Sequence, residues 1–156
     1  MDSIDLKLVD LLRANARLSF AELARQVGLS APAVHERVGK LEAAGVIRGY
    51  RADVEPEAVG LGVTALIGIV EDSGGDTDDV LAAIRSMPEI ESCYFMAGVE
   101  SFLLKARVGT IAELEQLILR LNRTAGVAST RTAVALSTKW EYRPQSLVPG
   151  DGPAPS

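Results

Sequence analysis

The spacing of apolar residues changes once along the chain, and this change limits the folds that the chain can adopt. From Ile4 to Ala44 apolar residues recur at the three- and four-residue spacing of amphipathic helices. From Val63 onward, apolar runs of strand length alternate with two helical segments. The stretch between them, residues 53–62, is rich in acid, proline and glycine and is typical of a linker. We therefore predict an α-helical domain at residues 1–52 and an α+β domain at residues 63–143.

The first domain is predicted to contain three helices. The first spans Ile4–Ala14, and Ser19 begins the second because Glu22, three residues later, completes a capping box. Gly28 ends that helix, and Ser30 caps the third. Two short helices joined by a tight turn are typical of a helix-turn-helix. A three-helix bundle that does not bind DNA is the alternative.

The third helix, predicted over Ala31–Ala44, is the candidate recognition helix. Its inner stripe consists of Val34, Val38 and Leu41, so the opposite face is free to enter the major groove of DNA. Small residues at its start allow close approach to base edges, and its basic side chains can bind phosphate or guanine. The chain after it, residues 46–52, is predicted to be a short extended segment or a wing. The candidate DNA-binding residues are Ser30, Ala31, Pro32, Ala33, His35, Glu36, Arg37 and Lys40.

Two of these residues have more than one interpretation. Glu36 is unfavourable beside phosphate, and it either pairs with Arg37 or Lys40 or accepts a hydrogen bond from a cytosine amine. His35 is either a solvated helix residue, which we favour, or a reader of bases.

The net charge of −5 argues at first against a nucleic-acid partner, but the charge is unevenly distributed. From Leu11 to Arg51 there are 7 basic and 3 acidic residues, a net charge of +4. Residues 52–156 carry 8 basic and 15 acidic residues, a net charge of −7. A basic N-terminal domain can bind phosphate while the acidic remainder is repelled by DNA and helps to orient the protein. Such an uneven distribution can also arise by chance.

The second domain is predicted to have the order strand, helix, strand, strand, helix, strand. The strands are predicted at Val63–Val70, Glu91–Ala97, Phe102–Val108 and Ala128–Trp140, and the helices at Thr77–Ser86 and Ile111–Asn122. This βαββαβ order is typical of the ferredoxin-like fold, an antiparallel sheet with both helices on one face. The other face needs a cover, because the first strand is apolar at nearly every position, and we therefore predict a homodimer. Residues 144–156, with 4 prolines, are predicted to be a flexible tail.

The sequence argues against a membrane protein, a metal site and an enzyme. No apolar run is long enough to span a bilayer, and the N-terminus is acidic, unlike a signal peptide, so we expect a cytoplasmic protein. One cysteine, Cys93, and one histidine, His35, are too few for a zinc site or an internal disulfide. There is no candidate nucleophile–base pair and no glycine-rich phosphate loop, so we predict neither catalytic residues nor a cofactor. Ferredoxin-like domains do host catalysis in other proteins, which keeps an enzyme as a less favoured alternative.

A set of motif residues runs through the N-terminal domain. Its members are Asp5, Leu11-Leu12, Asn15-Ala16-Arg17-Leu18-Ser19, Glu22-Leu23-Ala24, Val27-Gly28-Leu29-Ser30, Arg37-Val38, Leu41-Glu42 and Gly45-Val46-Ile47-Arg48-Gly49-Tyr50. In these residues the chain resembles the Lrp/AsnC family of bacterial and archaeal feast/famine regulators, and the resemblance extends from Ile4 to Arg143. It implies a βαββαβ ligand-sensing domain, dimers that assemble further into tetramers or octamers, and amino acids bound in the cleft between neighbouring sensing domains.

The family's effector motif, G-x-x-D followed by an aromatic residue, lies in the turn between the second and third strands. Here the stretch reads Gly98-Val99-Glu100-Ser101-Phe102, so serine replaces the aspartate. The task of holding an ammonium group either passes to Glu100 or is lost with a change of ligand. Gly98 lets backbone N–H groups approach a carboxylate as in an anion nest, and an ordinary glycine-containing hairpin is the alternative. The candidate effector-binding residues are Met96, Ala97, Gly98, Val99, Glu100 and Ser101.

We therefore predict a sequence-specific transcription regulator whose binding to double-stranded DNA, or whose oligomeric state, responds to an amino acid. Because Ser101 is uncharged and Met96 is apolar, a large apolar amino acid is the predicted effector. The alternative is an architectural regulator that binds DNA without an effector. At Gly39 relatives often carry a basic residue, so we expect weaker DNA affinity or a smaller salt dependence than theirs.

Overall fold

The computed structural model describes residues 1–148, which form two compact units. Among the described residues, one unit contains Met1–Asp53 together with residues 140–148, and the other contains Val54–Lys139. Within residues 1–148, none of the helices has the length and apolar character needed to span a membrane.

The first unit is built on the three predicted helices, α1 (Ser3–Ala14), α2 (Phe20–Val27) and α3 (Ala31–Ala43). The predicted capping box is present at α2, where Ser19 and Glu22 each accept a hydrogen bond from the other's backbone N–H group. Gly28 ends α2 with a φ of 71°, a left-handed conformation that favours glycine. The helices pack around a small core of Leu8, Leu12, Leu23, Ala24, Val34 and Val38.

The chain after α3 was predicted to be a short extended segment or a wing, and since no strand lies between Ala44 and Gly62, the wing is absent. Instead, the N–H groups of Val46 and Ile47 both donate to the carbonyl oxygen of Leu41 and close the end of the helix. The Tyr50 hydroxyl donates to Glu42 Oε1 at 2.7 Å. Burial and the Glu42 carboxylate raise the pKa of Tyr50 to about 12, so the hydroxyl remains a donor at neutral pH. The segment is thus tied to α3 rather than paired as a β-ribbon.

Part of the predicted flexible tail is bound to α1. Asp10 Oδ2 accepts a hydrogen bond from the N–H of Leu147 at 2.7 Å, and Arg13 Nη1 donates to the carbonyl oxygen of Gln145 at 2.8 Å. Polar side chains of α1 therefore satisfy backbone groups of this segment, which composition alone did not reveal. The compact second unit ends at Lys139. Residues 149–156 of the predicted tail lie outside the described residues.

The second unit has the predicted βαββαβ order. Its elements are β1 (Val63–Glu71), α4 (Thr77–Arg85), β2 (Ile90–Phe95), β3 (Phe102–Val108), α5 (Ile111–Asn122) and β4 (Val127–Val134), preceded by a turn of 3-10 helix at Glu57–Val59 in the predicted linker. The sheet order is β2-β3-β1-β4 with all neighbours antiparallel, as in the ferredoxin-like fold. The predicted α+β class is therefore confirmed.

Two strands end earlier than predicted, for different reasons. β4 ends at Val134 rather than at Trp140, because β1 begins at Val63 and only the N–H of Ala135 finds one more acceptor, on Thr64. β2 ends at Phe95, because the N–H of Met96 donates to the carbonyl oxygen of Ser101 and closes the β2–β3 hairpin.

The two faces of the sheet differ in their cover. Helices α4 and α5 cover one face, and the core between them contains Ile67, Ile69, Val80, Ile84, Phe102, Leu104, Leu117 and Leu121. The other face, which we call the open sheet face, carries Leu66 with 45% of its surface exposed and Tyr94 with 56%. It also carries an ion-pair cluster, in which Glu91 Oε2 lies 3.1 Å from both Lys105 Nζ and Arg107 Nε. The open sheet face is therefore mixed in character rather than apolar throughout.

Candidate nucleic-acid interface and small-molecule cavity

The start of α3 differs from the starts of α1, α2 and α5. In those three helices a capping box ends with an acidic residue, which is Asp5, Glu22 or Glu113. In α3, Ser30 caps the helix by accepting a hydrogen bond from the N–H of Ala33 at 3.3 Å, but Ala33 takes the place of the acid and the first turn holds no acidic residue. The positive end of the α3 dipole is therefore not neutralised locally, which suits an approaching phosphate.

Arg37 lies one helical turn further on and is held by carboxylates of α1. Its Nη1 lies 2.8 Å from Asp2 Oδ2 and 2.7 Å from Asp5 Oδ1. Hydrogen bonds to Asp5 and then Asp2 raise the pKa of Arg37, while the backbone N–H of Asp5 and the guanidinium lower the pKa of Asp2. Because Asp2 and Asp5 form the capping box of α1, these ion pairs tie α3 to the start of α1. A phosphate contact by Arg37 would have to displace them.

Lys40 and Glu36 form an ion pair on the solvent side of α3. Lys40 Nζ lies 2.6 Å from Glu36 Oε1, and the two side chains are 74% and 69% exposed. The hydrogen bond from Lys40 lowers the pKa of Glu36. Of the interpretations of Glu36, the structure favours pairing with Lys40. An ion pair this exposed contributes little to stability, so Lys40 can exchange its partner for a phosphate.

His35 makes a contact that the sequence did not predict. Its ring lies edge-on to that of Phe20, with centroids 4.8 Å apart and an interplanar angle of 90°. Since Phe20 begins α2, this contact joins the two helices of the helix-turn-helix. His35 is exposed, in keeping with the favoured interpretation as a solvated helix residue, and it also packs edge-on against Phe20.

A cavity of about 440 Å³ lies on the open sheet face. Its apolar wall is formed by Leu66, Met96, Leu103 and Ala133, and its polar groups include Glu100 and Arg131. The volume and the mixture of apolar wall and few polar groups are typical of a small-ligand site. Within residues 1–148, no three His, Cys, Asp or Glu side chains are grouped in a way that could hold a metal ion.

The predicted effector turn contributes to this cavity in part. Met96, Ala97 and Glu100 line it, whereas Gly98, Val99 and Ser101 do not. The N–H of Ser101 donates to the carbonyl oxygen of Ile69 at 2.8 Å and is therefore not available to the expected anion nest.

The remaining cavity residues belong to β1, β3 and β4 and were not predicted from the sequence. The strand register places Gly68 of β1 between Leu103 of β3 and Arg131 of β4. Arg131 Nη1 donates to Glu100 Oε1 at 3.2 Å across this position. Gly68 was the available signal, because a glycine inside a strand often marks the close approach of another group.

Comparison with known proteins identifies both units. The chain matches the AsnC-type helix-turn-helix domain over residues 1–42 and the Lrp/AsnC ligand binding domain over residues 64–145. The chain belongs to the Lrp/AsnC family. It is therefore a DNA-binding transcriptional regulator, as predicted.

Three relatives of this Lrp/AsnC chain illustrate the match. The HTH-type transcriptional regulator LrpA of Mycobacterium tuberculosis is 41% identical over 143 residues, which cover 92% of this chain and 95% of that protein. The regulatory protein AsnC of Escherichia coli is 34% identical over 137 residues, covering 87% of this chain and 90% of that protein. A feast or famine regulatory protein from M. tuberculosis, solved in complex with L-methionine, has a TM-score of 0.88 and 41% identity, covering 93% of this chain and 98% of that one.

Substitutions of Lys40 and of Glu36 are expected to shift the DNA affinity of this Lrp/AsnC regulator in opposite directions. Lys40→Ala removes a cation, so we expect weaker binding. The slope of the logarithm of the binding constant against the logarithm of the salt concentration should be smaller in magnitude by about 0.9, the value for one phosphate contact. Glu36→Gln removes a repelling carboxylate and frees Lys40, so we expect tighter binding. Fluorescence anisotropy titrations of a labelled duplex at about 50 and 200 mM salt measure both effects. Affinities and slopes equal to those of the wild type would contradict a phosphate contact by Lys40.

Proposed function

We propose that this regulator reads a specific DNA sequence with the start and the exposed side of α3, and that an amino acid changes its DNA binding or its assembly. The observation that carries the first part is the first turn of α3, which is small, uncharged and without the acidic residue found at the same position of α1, α2 and α5. The proposed contacts are Ser30, Ala31, Pro32, Ala33 and Lys40, with His35 beside them, and Glu36 is the partner that Lys40 exchanges for a phosphate. We assign Arg37 mainly to holding α3 against α1, because both of its carboxylate partners lie within 2.8 Å.

The proposed effector is an α-amino acid with an apolar side chain. The cavity on the open sheet face combines an apolar wall with one carboxylate, Glu100, and one guanidinium, Arg131. The related M. tuberculosis protein binds L-methionine, which is an amino acid of this kind. Met96, Ala97 and Glu100 are the proposed contacts from the predicted turn. Gly98, Val99 and Ser101 are proposed to shape that turn.

We also propose that two copies associate through the open sheet face. Leu66 and Tyr94 are large side chains left about half exposed there, and a second copy would remove them from water. The cavity would then lie at the contact between copies, where an effector can favour one assembly over another. Larger assemblies, tetramers or octamers, follow from the family resemblance.

The test is a DNA titration with each amino acid in turn. Purified protein is added to a labelled duplex from upstream of its own gene, at two salt concentrations, with and without each of the twenty amino acids. We expect saturable, salt-sensitive binding that apolar amino acids alter and charged ones do not. Sedimentation velocity under the same conditions reports whether the effector also changes the size of the assembly.

Each part of the proposal can fail separately in this titration. Binding that no amino acid alters, in affinity or in assembly, would favour the architectural regulator that acts without an effector. Binding of equal strength to an unrelated duplex of the same length would contradict sequence-specific recognition by α3.

A further inference from the structure

The ion pair between Glu100 and Arg131 crosses the cavity that we assign to the effector. Glu100 reaches over from the β2–β3 turn, and Arg131 extends from β4, so the pair spans strand β1. The Glu100 side chain is 33% exposed and that of Arg131 is 67% exposed. Within one chain the pair therefore occupies the polar part of the cavity, and Arg131 is its more exposed member.

Gly68 makes this arrangement possible. A Cβ atom on Gly68 would lie 2.6 Å from Cγ of Glu100, closer than two non-bonded carbon atoms can approach. The backbone at Gly68 is not in the left-handed region, so the need for glycine at this position comes from the Glu100 side chain and not from φ. The missing side chain of Gly68 leaves a notch in β1. Glycine in a strand interior lowers stability, and the need to place Glu100 in this notch explains why glycine is nevertheless found there.

We propose that the Glu100–Arg131 pair is a placeholder for the two charged groups of a free α-amino acid. On binding, the effector's ammonium group replaces Arg131 as the partner of Glu100, and its carboxylate accepts the guanidinium of Arg131. The effector's side chain then lies on the apolar wall of Leu66, Met96, Leu103 and Ala133. This inference rests on the proposed function, and it adds Arg131 and Gly68 as residues that set the specificity of the site.

Charge balance supports the exchange. The cavity holds one negative and one positive group, and a zwitterion inserted between them leaves every charge with an opposite neighbour. The planar guanidinium matches a carboxylate through two parallel hydrogen bonds, whereas it meets Glu100 through a single hydrogen bond at 3.2 Å. Because Arg131 is 67% exposed within one chain, water screens its pair with Glu100, and the opening of this pair does not oppose binding strongly. A ligand that has lost either charged group leaves one protein charge without its partner and should bind less tightly.

The experiment compares three probes by isothermal titration calorimetry on the full chain. They are L-methionine, the amine made by removing its carboxylate, and the acid made by removing its amino group. For the wild type we expect methionine to bind at least about tenfold more tightly than either truncated probe. For Arg131→Gln we expect the affinity for methionine to fall about tenfold and to become equal to that for the amine. For Glu100→Gln we expect the affinity for methionine to become equal to that for the acid.

Two further variants test the notch and control for folding. Gly68→Ala should weaken methionine binding although it removes no charge, whereas Gly74→Ala, where a Cβ meets no atom within 4 Å, should not. Arg123→Gln, an exposed arginine at the end of α5, is the matched control for Arg131→Gln. Unfolding curves and sedimentation establish that each variant is folded and assembled like the wild type.

The possible failures separate this inference from the proposed function. If the wild type binds none of the twenty amino acids, the proposed amino-acid response is wrong and the placeholder with it. If methionine binds to the wild type and to Arg131→Gln with the same affinity and the same preference over the amine, only the placeholder is wrong.

Discussion

Replacing Ala33 by glutamate is expected to weaken DNA binding by about a hundredfold while leaving the DNA-binding unit folded. Ala33 stands three residues after the cap Ser30, so glutamate there completes the capping box that α1, α2 and α5 already have. The substitution should therefore stabilise α3 in isolation. The same carboxylate would lie where we place a phosphate, and like charges in contact are strongly repulsive. Loss of binding together with retained stability would show that α3 lacks the acid because of its function.

Ala33→Gln is the matched control for this experiment. Glutamine has the length of glutamate and also closes a capping box, but it carries no charge. We expect Ala33→Gln to lose much less affinity than Ala33→Glu, and the difference between them to shrink as the salt concentration rises. Anisotropy titrations measure the affinities and thermal unfolding measures the stabilities. A glutamate variant that binds DNA as tightly as the glutamine variant would place the DNA contact away from the start of α3.

Features whose signal lies within a few residues were predicted well from the sequence. The Ser19–Glu22 capping box, the end of α2 at Gly28 and the span of α5 match the structure because each depends on residues close together in the chain. The spacing of apolar residues gave the βαββαβ order for the same reason.

Contacts between distant elements could not be predicted in this way. Arg37 lies 35 residues from Asp2 and 32 from Asp5, and nothing near Arg37 in the sequence indicates that α1 holds it. The contact between Glu100 and Arg131 likewise joins residues 31 apart on different elements. The sequence therefore indicated segments as candidate sites, while the partners that determine which side chains are available came only from the fold.

Strand ends and the tail show a second limit. The fourth strand was predicted to continue to Trp140, but a strand extends only as far as its neighbour, and β1 begins at Val63. Similarly, the proline-containing segment before Val148 has a composition typical of a flexible tail, yet Asp10 and Arg13 bind its backbone. In both cases the outcome depends on a partner that local composition does not specify.

Phe102→Ala is expected to lower the free energy of unfolding of the second unit by about 3–5 kcal/mol, the range for removing a fully buried phenylalanine. Phe102 is 2% exposed, begins β3 and packs in the core under the sheet. It also directly follows the turn that ends at Ser101, so the cavity that this turn lines should lose its fixed shape. We therefore expect the amino-acid response to be lost together with the stability. Chemical denaturation followed by circular dichroism measures the first effect, and calorimetry with methionine measures the second.

Phe95→Ala provides the control, because Phe95 is the cross-strand neighbour of Phe102 and has the same side chain. Their ring centroids are 5.4 Å apart, yet Phe95 is 74% exposed, so its truncation removes little buried apolar surface. We expect Phe95→Ala to lower the free energy of unfolding by about 1 kcal/mol or less, the value of an aromatic pair, and to keep the response to methionine. If Phe95→Ala were as destabilising as Phe102→Ala, then Phe95 would be buried in solution. Since α4 and α5 leave it exposed within one chain, such burial would require a second copy packed against the edge formed by β2.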